Sequence, residues 1–143
     1  MDSVLLSKME ERTSEDIGGK IYQLIKELQS LFKKEKNWPE RSREKWKEIL
    51  EKSSFFYSLW NSDLLVGFGR CRSDGANCTY HDIVVHENYR GIGLGRKIME
   101  KLEEYSAEQK FESVDLKIDP SKPELRKFYG GFDFKNDINA MLK

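Results

Sequence analysis

The sequence predicts a mixed α/β (α+β) fold, with one central sheet of about six or seven strands and helices packed against it. Three observations carry this reading. Residues 55–85 hold three successive strand-like runs separated by short turns. An amphipathic helical pattern begins at Leu94, where Leu94, Ile98, Met99, Leu102 and Tyr105 recur every three or four positions. A further strand-like run, Ser113-Val114-Asp115-Leu116-Lys117-Ile118, follows that helix. The strand before the helix and the strand after it are therefore expected to lie parallel.

Taken in order, residues 4–12 supply a first edge strand. Thr13-Ser14-Glu15-Asp16 is a helix-start signal with acids in the first turn. Ile17, Ile21, Leu24, Ile25, Leu28, Leu31 and Phe32 then keep helical spacing, although Gly18 and Gly19 weaken the start by about 1 kcal/mol each relative to alanine. The stretch around Trp38-Pro39 breaks the helix, and a second one runs from Ser42 to Lys52, burying Trp46, Ile49 and Leu50. Phe55 to Trp60 and Leu64 to Arg70 flank an Asn61-Ser62-Asp63 turn, and Cys78 to Val85, rich in β-branched and aromatic residues, completes an antiparallel meander. An Asp74-Gly75 hairpin turn would set Cys71 and Cys78 opposite each other, as two reduced thiols rather than a redox disulfide. Asp119-Pro120-Ser121-Lys122-Pro123 leads into a short helix through Phe128 and Tyr129, and Phe132–Phe134 with Asn139–Leu142 form a closing hairpin. The predicted order is β-α-α-β-β-β-α-β-α-β-β.

At 143 residues the chain has the size of a single domain with a proper core. Lys plus Arg and Asp plus Glu number 25 each, so the net charge is zero, which argues against a nucleic-acid or anionic-membrane partner held by bulk charge. No apolar run approaches the roughly 20 residues that span a bilayer. The first residues lack a basic region followed by an apolar one, so a cytoplasmic location is expected. His81 and His86 are the only histidines and no Cys-x-x-Cys pair occurs, so no metal site is expected. Monomer and homodimer both stay open.

The chemistry concentrates at Arg90-Gly91-Ile92-Gly93-Leu94-Gly95, where a strand delivers a glycine turn to a helix N-terminus. Without Cβ atoms the backbone can approach a ligand closely, and the unpaired amides that open a helix favour an anion, above all a phosphate. A P-loop would need Ser or Thr after Gly-Lys, whereas Arg96 and Lys97 follow Gly95 here. A Gly-x-Gly-x-x-Gly dinucleotide fingerprint started at Gly91 would need glycine at Arg96. The pattern that fits is Arg-x-x-Gly-x-Gly, with Arg90, Gly93 and Gly95. Together with Ile83-Val84-Val85-His86-Glu87-Asn88-Tyr89 it resembles the acyl-coenzyme A pyrophosphate loop of the GNAT N-acetyltransferase superfamily. Leu125-Arg126-Lys127-Phe128-Tyr129-Gly130-Gly131-Phe132-Asp133-Phe134 resembles that family's Phe-Tyr-x-x-x-Gly-Phe signature, with Asp133 where glycine is usual. The resemblance covers roughly residues 54–143.

The resemblance implies a GNAT fold, with two parallel strands that splay apart to admit acetyl-CoA. It implies acetyl transfer to a primary amine of a small molecule within a ternary complex. A protein or peptide amine is the alternative acceptor, and a non-catalytic acyl-CoA-binding module is the rival reading. The backbone of Ile83, Val84 and Val85 would pair with the pantetheine arm. The amides of Gly91, Ile92, Gly93, Leu94, Gly95 and Arg96 would take the pyrophosphate, with Arg90 adding a charge or bracing the loop. Asp119 and Ser121 stand where the family often has an asparagine against the same arm. A backbone N–H near Val85 would serve the oxyanion. Tyr129 is the expected proton donor, since a phenol near pKa 10 stays protonated at neutral pH and a thiolate near 8.5 accepts from it. His81 and Asp82 are the candidate bases, sent to opposite faces by strand alternation, or else partners of a neighbouring strand. Phe32, Trp38, Tyr22 and Tyr80 are candidates to line the acceptor site. The run Lys33-Lys34-Glu35-Lys36 either invites an acidic acceptor or is a solvated face.

Overall fold

Alternating side chains in three adjacent strands give the sheet an apolar surface on both faces, and helices cover each one. A computed structural model describes residues 7–35, 38–117, 122–132, 134–136 and 140–142. The strands are β1 (Glu10–Thr13), β2 (Phe55–Asn61), β3 (Leu64–Ser73), β4 (Asn77–Val85), β5 (Ser113–Lys117), β6 (Lys135–Asn136) and β7 (Ala140–Leu142). The α-helices among the described residues are α1 (Ile21–Lys33), α2 (Arg43–Lys52), α3 (Leu94–Gln109) and α4 (Pro123–Gly130). The strands form one sheet in the order β1-β2-β3-β4-β5-β7-β6. Among the described residues only β4 and β5 pair parallel; the other neighbours are antiparallel. The element order and the parallel pair are those expected from sequence. No helix among the described residues is long and apolar enough to cross a membrane.

Two cores result. On one face Leu24, Ile25 and Leu28 of α1 and Trp46 and Leu50 of α2 pack on Phe56, Trp60, Leu65, Phe68 and Val84. On the other, Ile98, Met99 and Leu102 of α3 meet Tyr57, Leu59, Tyr80 and Leu116, with Tyr129 and Phe134 closing the end. Tyr105 is only half-buried and stacks on Phe55 at a ring distance of 4.6 Å.

Four expectations need correction. The helix signalled at Thr13–Asp16 starts later: Asp16 Oδ1 accepts from Thr13 N–H and Thr13 Oγ1 from Glu15 N–H, making a turn. Gly18 then lies at φ 50°, outside the helical region, so a short 3-10 turn intervenes and α1 begins at Ile21. The Cys71–Cys78 hairpin has a longer loop than Asp74-Gly75 alone. Asp74 Oδ1 accepts from the N–H groups of Ala76 and Asn77, a side-chain turn that shifts the register by two residues. Cys71 therefore faces Tyr80 and Ser73 faces Cys78, so the two free, buried thiols are diagonal neighbours. The first strand spans Glu10–Thr13 rather than 4–12, of which 4–6 lie outside the described residues. The closing hairpin uses Lys135–Asn136 and Ala140–Leu142 in place of Phe132–Phe134 and Asn139–Leu142; Ile118, Asp133 and Asn139 also lie outside them.

β3 carries Gly67 and Gly69 where α3 crosses it. A Cβ at Gly69 would stand 2.8 Å from Ile98 Cγ2 and 3.2 Å from Leu102 Cδ1, so the absence of a side chain sets how close α3 can lie. Gly69→Ala is expected to lower unfolding free energy by about 1–3 kcal/mol through overpacking. A urea titration with an unchanged midpoint would contradict this account of the packing.

Candidate active site

The ladder between β4 and β5 runs from Asn77↔Ser113 to Tyr80↔Leu116. Beyond Tyr80 the second half of β4 pairs only with β3 among the described residues, and a gap opens on its other side. His86 N–H donates to Val66 O across β3, so alternation turns the N–H and C=O groups of Ile83 and Val85 toward the gap.

A bulge decides which side chains enter this gap. Phe68 pairs with Val84 but Arg70 pairs with His81, so Asp82 and Ile83 together oppose Gly69. Asp82 takes the bulge's left-handed position, at φ 54°. Its buried carboxylate accepts from Arg70 Nε at 2.7 Å, Arg41 Nη1 at 2.9 Å and Trp38 Nε1 at 3.0 Å. Burial alone would raise its pKa, but Arg70 and Arg41 outweigh that and hold the carboxyl below the usual value. Side-chain parity flips at the bulge. Cys78 and Tyr80 face the α3 core, and so do Ile83 and Val85, whereas Val84 joins the α1/α2 core.

The gap widens into a cavity of about 520 Å³. Ile83, Val84 and Val85 form one wall, Leu125, Phe128 and Tyr129 of α4 another, and Phe32, Glu35 and Trp38 a third. At its end lies the glycine loop, with Gly91 at φ 80° and Gly93 at φ 95°. Gly93 caps α3, whose first-turn amides have no partner within the helix, and Leu94, Gly95 and Arg96 of that turn line the cavity end. Gly95 gives Phe128 room: a Cβ there would stand 3.3 Å from Phe128 Cζ, a tight contact. A cradle of left-handed glycines at the start of a 16-residue helix suits a pyrophosphate.

The residues singled out from sequence now have places. Ile83, Val84, Val85, Arg90, Gly91, Gly93, Leu94, Gly95, Arg96 and Tyr129 line the cavity, while Ile92 packs against the α3 core. Asp119 and Ser121 lie outside the described residues. Arg90 braces the loop, donating from Nε to Val85 O at 3.1 Å and from Nη2 to Glu35. Tyr129 is buried, which raises its phenol above the ordinary value and keeps it protonated. His81 and Asp82 are not among the cavity-lining residues. The bulge overturns their expected separation: His81 sits opposite Arg70, whose guanidinium holds Asp82, so both face α1 and α2. Burial, with Arg70 nearby, lowers the His81 pKa to about 4. Of the acceptor-site candidates, Phe32 and Trp38 line the cavity, stacked at 5.1 Å. Tyr22 is exposed beside Arg43, and Tyr80 is buried with its hydroxyl 2.7 Å from Ser106 Oγ. Sequence reasoning missed Glu35 and Lys122 as cavity residues; the signal for Glu35 lay inside a run that also reads as a solvated face.

Known proteins match this arrangement. The family model described as Acetyltransferase (GNAT) family matches residues 21–134. The uncharacterised N-acetyltransferase ycf52 of Porphyra purpurea is 33% identical over 109 residues, covering 73% of this chain and 61% of the relative. The chain thus spans about three fifths of the length of that relative. Arabidopsis thaliana Naa50 in complex with the bisubstrate analogue CoA-Ac-MVNAL superposes with a TM-score of 0.72 at 19% identity, covering 94% of this chain and 96% of that one. An aminoglycoside acetyltransferase from an uncultured soil metagenomic sample, in complex with sisomicin, superposes with a TM-score of 0.66 at 17% identity, covering 93% and 92%.

Removing the charge at the bulge is expected to be costly. Asp82→Asn leaves buried Arg70 and half-buried Arg41 without their anion, which destabilises by about 3–5 kcal/mol. Because the folded pKa lies below the unfolded one, this contribution is full above about pH 4 and is lost as the pH falls through the folded pKa. Melting curves of wild type and variant should therefore converge in acid; a gap that stays constant into acid would refute the assignment.

Proposed function

The chain belongs to the acetyltransferase (GNAT) family, and from that premise we propose that it transfers the acetyl group of acetyl-CoA to a primary amine of a small molecule. The observation that carries this reading is the juxtaposition of the glycine cradle, the open edge of β4 and the Tyr129 side chain around one cavity. When bound, acetyl-CoA supplies an acetyl group activated as a thioester. The amides of Gly91 to Arg96 hold its pyrophosphate, and the open edge at Ile83 and Val85 pairs with the amides of its pantetheine arm as an added strand would.

The Val85 N–H donates to the thioester oxygen as negative charge builds there. One such donor can be worth about 3 kcal/mol of barrier. Tyr129 O–H, kept protonated by burial, donates to the sulfur as it leaves. Ile83, Val85 and Phe128 exclude water from the reacting centre. His81 and Asp82 take a positioning role in this proposal. An imidazole with a pKa near 4 is a poor acceptor for an ammonium proton, and Asp82 is committed to three donors. The acceptor therefore loses one proton to water before it attacks, and the second, shed as the C–N bond forms and the C–S bond breaks, restores the Tyr129 phenol.

A cavity with two stacked aromatics beside a carboxylate suits a compact amine better than an extended chain. A peptide amine is the second reading, favoured by the likeness to the Naa50 complex. Tyr129→Phe tests the chemistry. Its kcat for amine acetylation should fall about 100-fold, while coenzyme A affinity measured by calorimetry stays near that of wild type. An unchanged kcat would remove Tyr129 as the proton donor.

A further inference from the structure

Glu35 stands just past the end of α1, where its N–H donates to Phe32 O at 3.0 Å and the turn carries its side chain over the cavity. That side chain is only 10% exposed. Its Oε1 accepts from Arg90 of the glycine loop, and its Oε2 from Lys122 Nζ, just before α4, at 3.2 Å. Arg90 and Lys122 are 55 and 87 residues away in the chain, and all three side chains line the cavity. The asymmetry of shelter matters. Arg90 and Lys122 are 52% and 32% exposed, within reach of solvent and of a ligand, whereas the carboxylate is held in from water.

A sheltered carboxylate needs a cationic partner. In the free protein Arg90 and Lys122 provide two. A ligand with phosphates in the glycine cradle offers those same cations a more highly charged partner, reached through charge-assisted hydrogen bonds. Drawing them toward the phosphates leaves Glu35 short of positive charge on the side of the cavity where Phe32 and Trp38 stack. We propose that Glu35 recognises the acceptor, with Arg90 and Lys122 as its counter-ions until phosphates displace it, so that coenzyme A binding assembles the site for a cationic amine. The nitrogen that attacks must be neutral, so the charge Glu35 holds belongs to a second group. The favoured acceptors are compact diamines rather than monoamines.

This inference rests on the reading that coenzyme A enters this cavity. Calorimetric titration of coenzyme A into wild type and Glu35→Gln separates the two. With the competing carboxylate neutralised, the variant should bind coenzyme A about fivefold tighter or more. In the same variant the KM for 1,4-diaminobutane should rise about tenfold, while that for butylamine moves little. Lys122→Met, which leaves the carboxylate in place, should weaken coenzyme A binding severalfold. Wild type that binds coenzyme A alongside a Gln variant that binds it no tighter would overturn the counter-ion exchange and leave the functional reading standing. Equal changes in KM for the diamine and the monoamine would overturn acceptor recognition by Glu35. Wild type that binds no coenzyme A would overturn both readings together.

Discussion

Asp82 adopts a left-handed backbone in the interior of a nine-residue strand, and three donors from two directions hold it there. The conformation costs about 1–2 kcal/mol for a residue with a Cβ. The charged hydrogen bonds to Arg70 and Arg41, and the one from Trp38, offset it because each would otherwise leave a buried group unpaired. The bulge sets the character of the cavity wall. In a strand without it, Asp82 and Val84 would share a face with Tyr80 and project toward α3 and the cavity. With it, Ile83 and Val85 take that face, giving an apolar wall, and the carboxylate turns toward α1 and α2. One extra residue converts a charged wall into a dry one. It also ties the segment between α1 and α2, through Trp38 and Arg41, to the strand that lines the cavity.

The far end of the cavity meets two demands with the same glycines. Positive φ at Gly91 and Gly93 turns the chain sharply from β4 into α3, and the missing side chains keep the amides accessible. At Gly95 the reason differs, since Phe128 packs over it and joins α3 to α4 across the gap. Phe128 and Tyr129 thus come from one short helix with divided tasks, the first spacing the helices and the second lining the cavity from within the core.

Much of this can be read in the sequence, and the exceptions share a cause. The element order, the parallel β4–β5 pair and the glycine cradle depend on local pattern, which a sequence carries directly. The bulge does not. Alternation over Cys78–Val85 looks regular, because an aspartate in the left-handed region has no mark of its own, and the donors that hold it come from positions 38, 41 and 70. The hairpin register is hidden for a similar reason: the Asp74 carboxylate, rather than the Asp74-Gly75 pair, sets the loop length. Gly18 reads as a weak helix former, but its positive φ leaves no sign in the sequence. Glu35 sits in a charged run that reads as solvated, and only the meeting of three distant segments reveals a sheltered carboxylate.

Amide hydrogen exchange, with and without saturating acetyl-CoA, tests the central claim most directly, that the open edge of β4 and the glycine cradle form one cofactor site. Slower exchange is expected at Ile83, Val85 and the amides from Gly91 to Arg96, with β1 and β2 unchanged. Protection that omits both the β4 edge and the glycine loop, or that ATP or NAD reproduces equally, would contradict it.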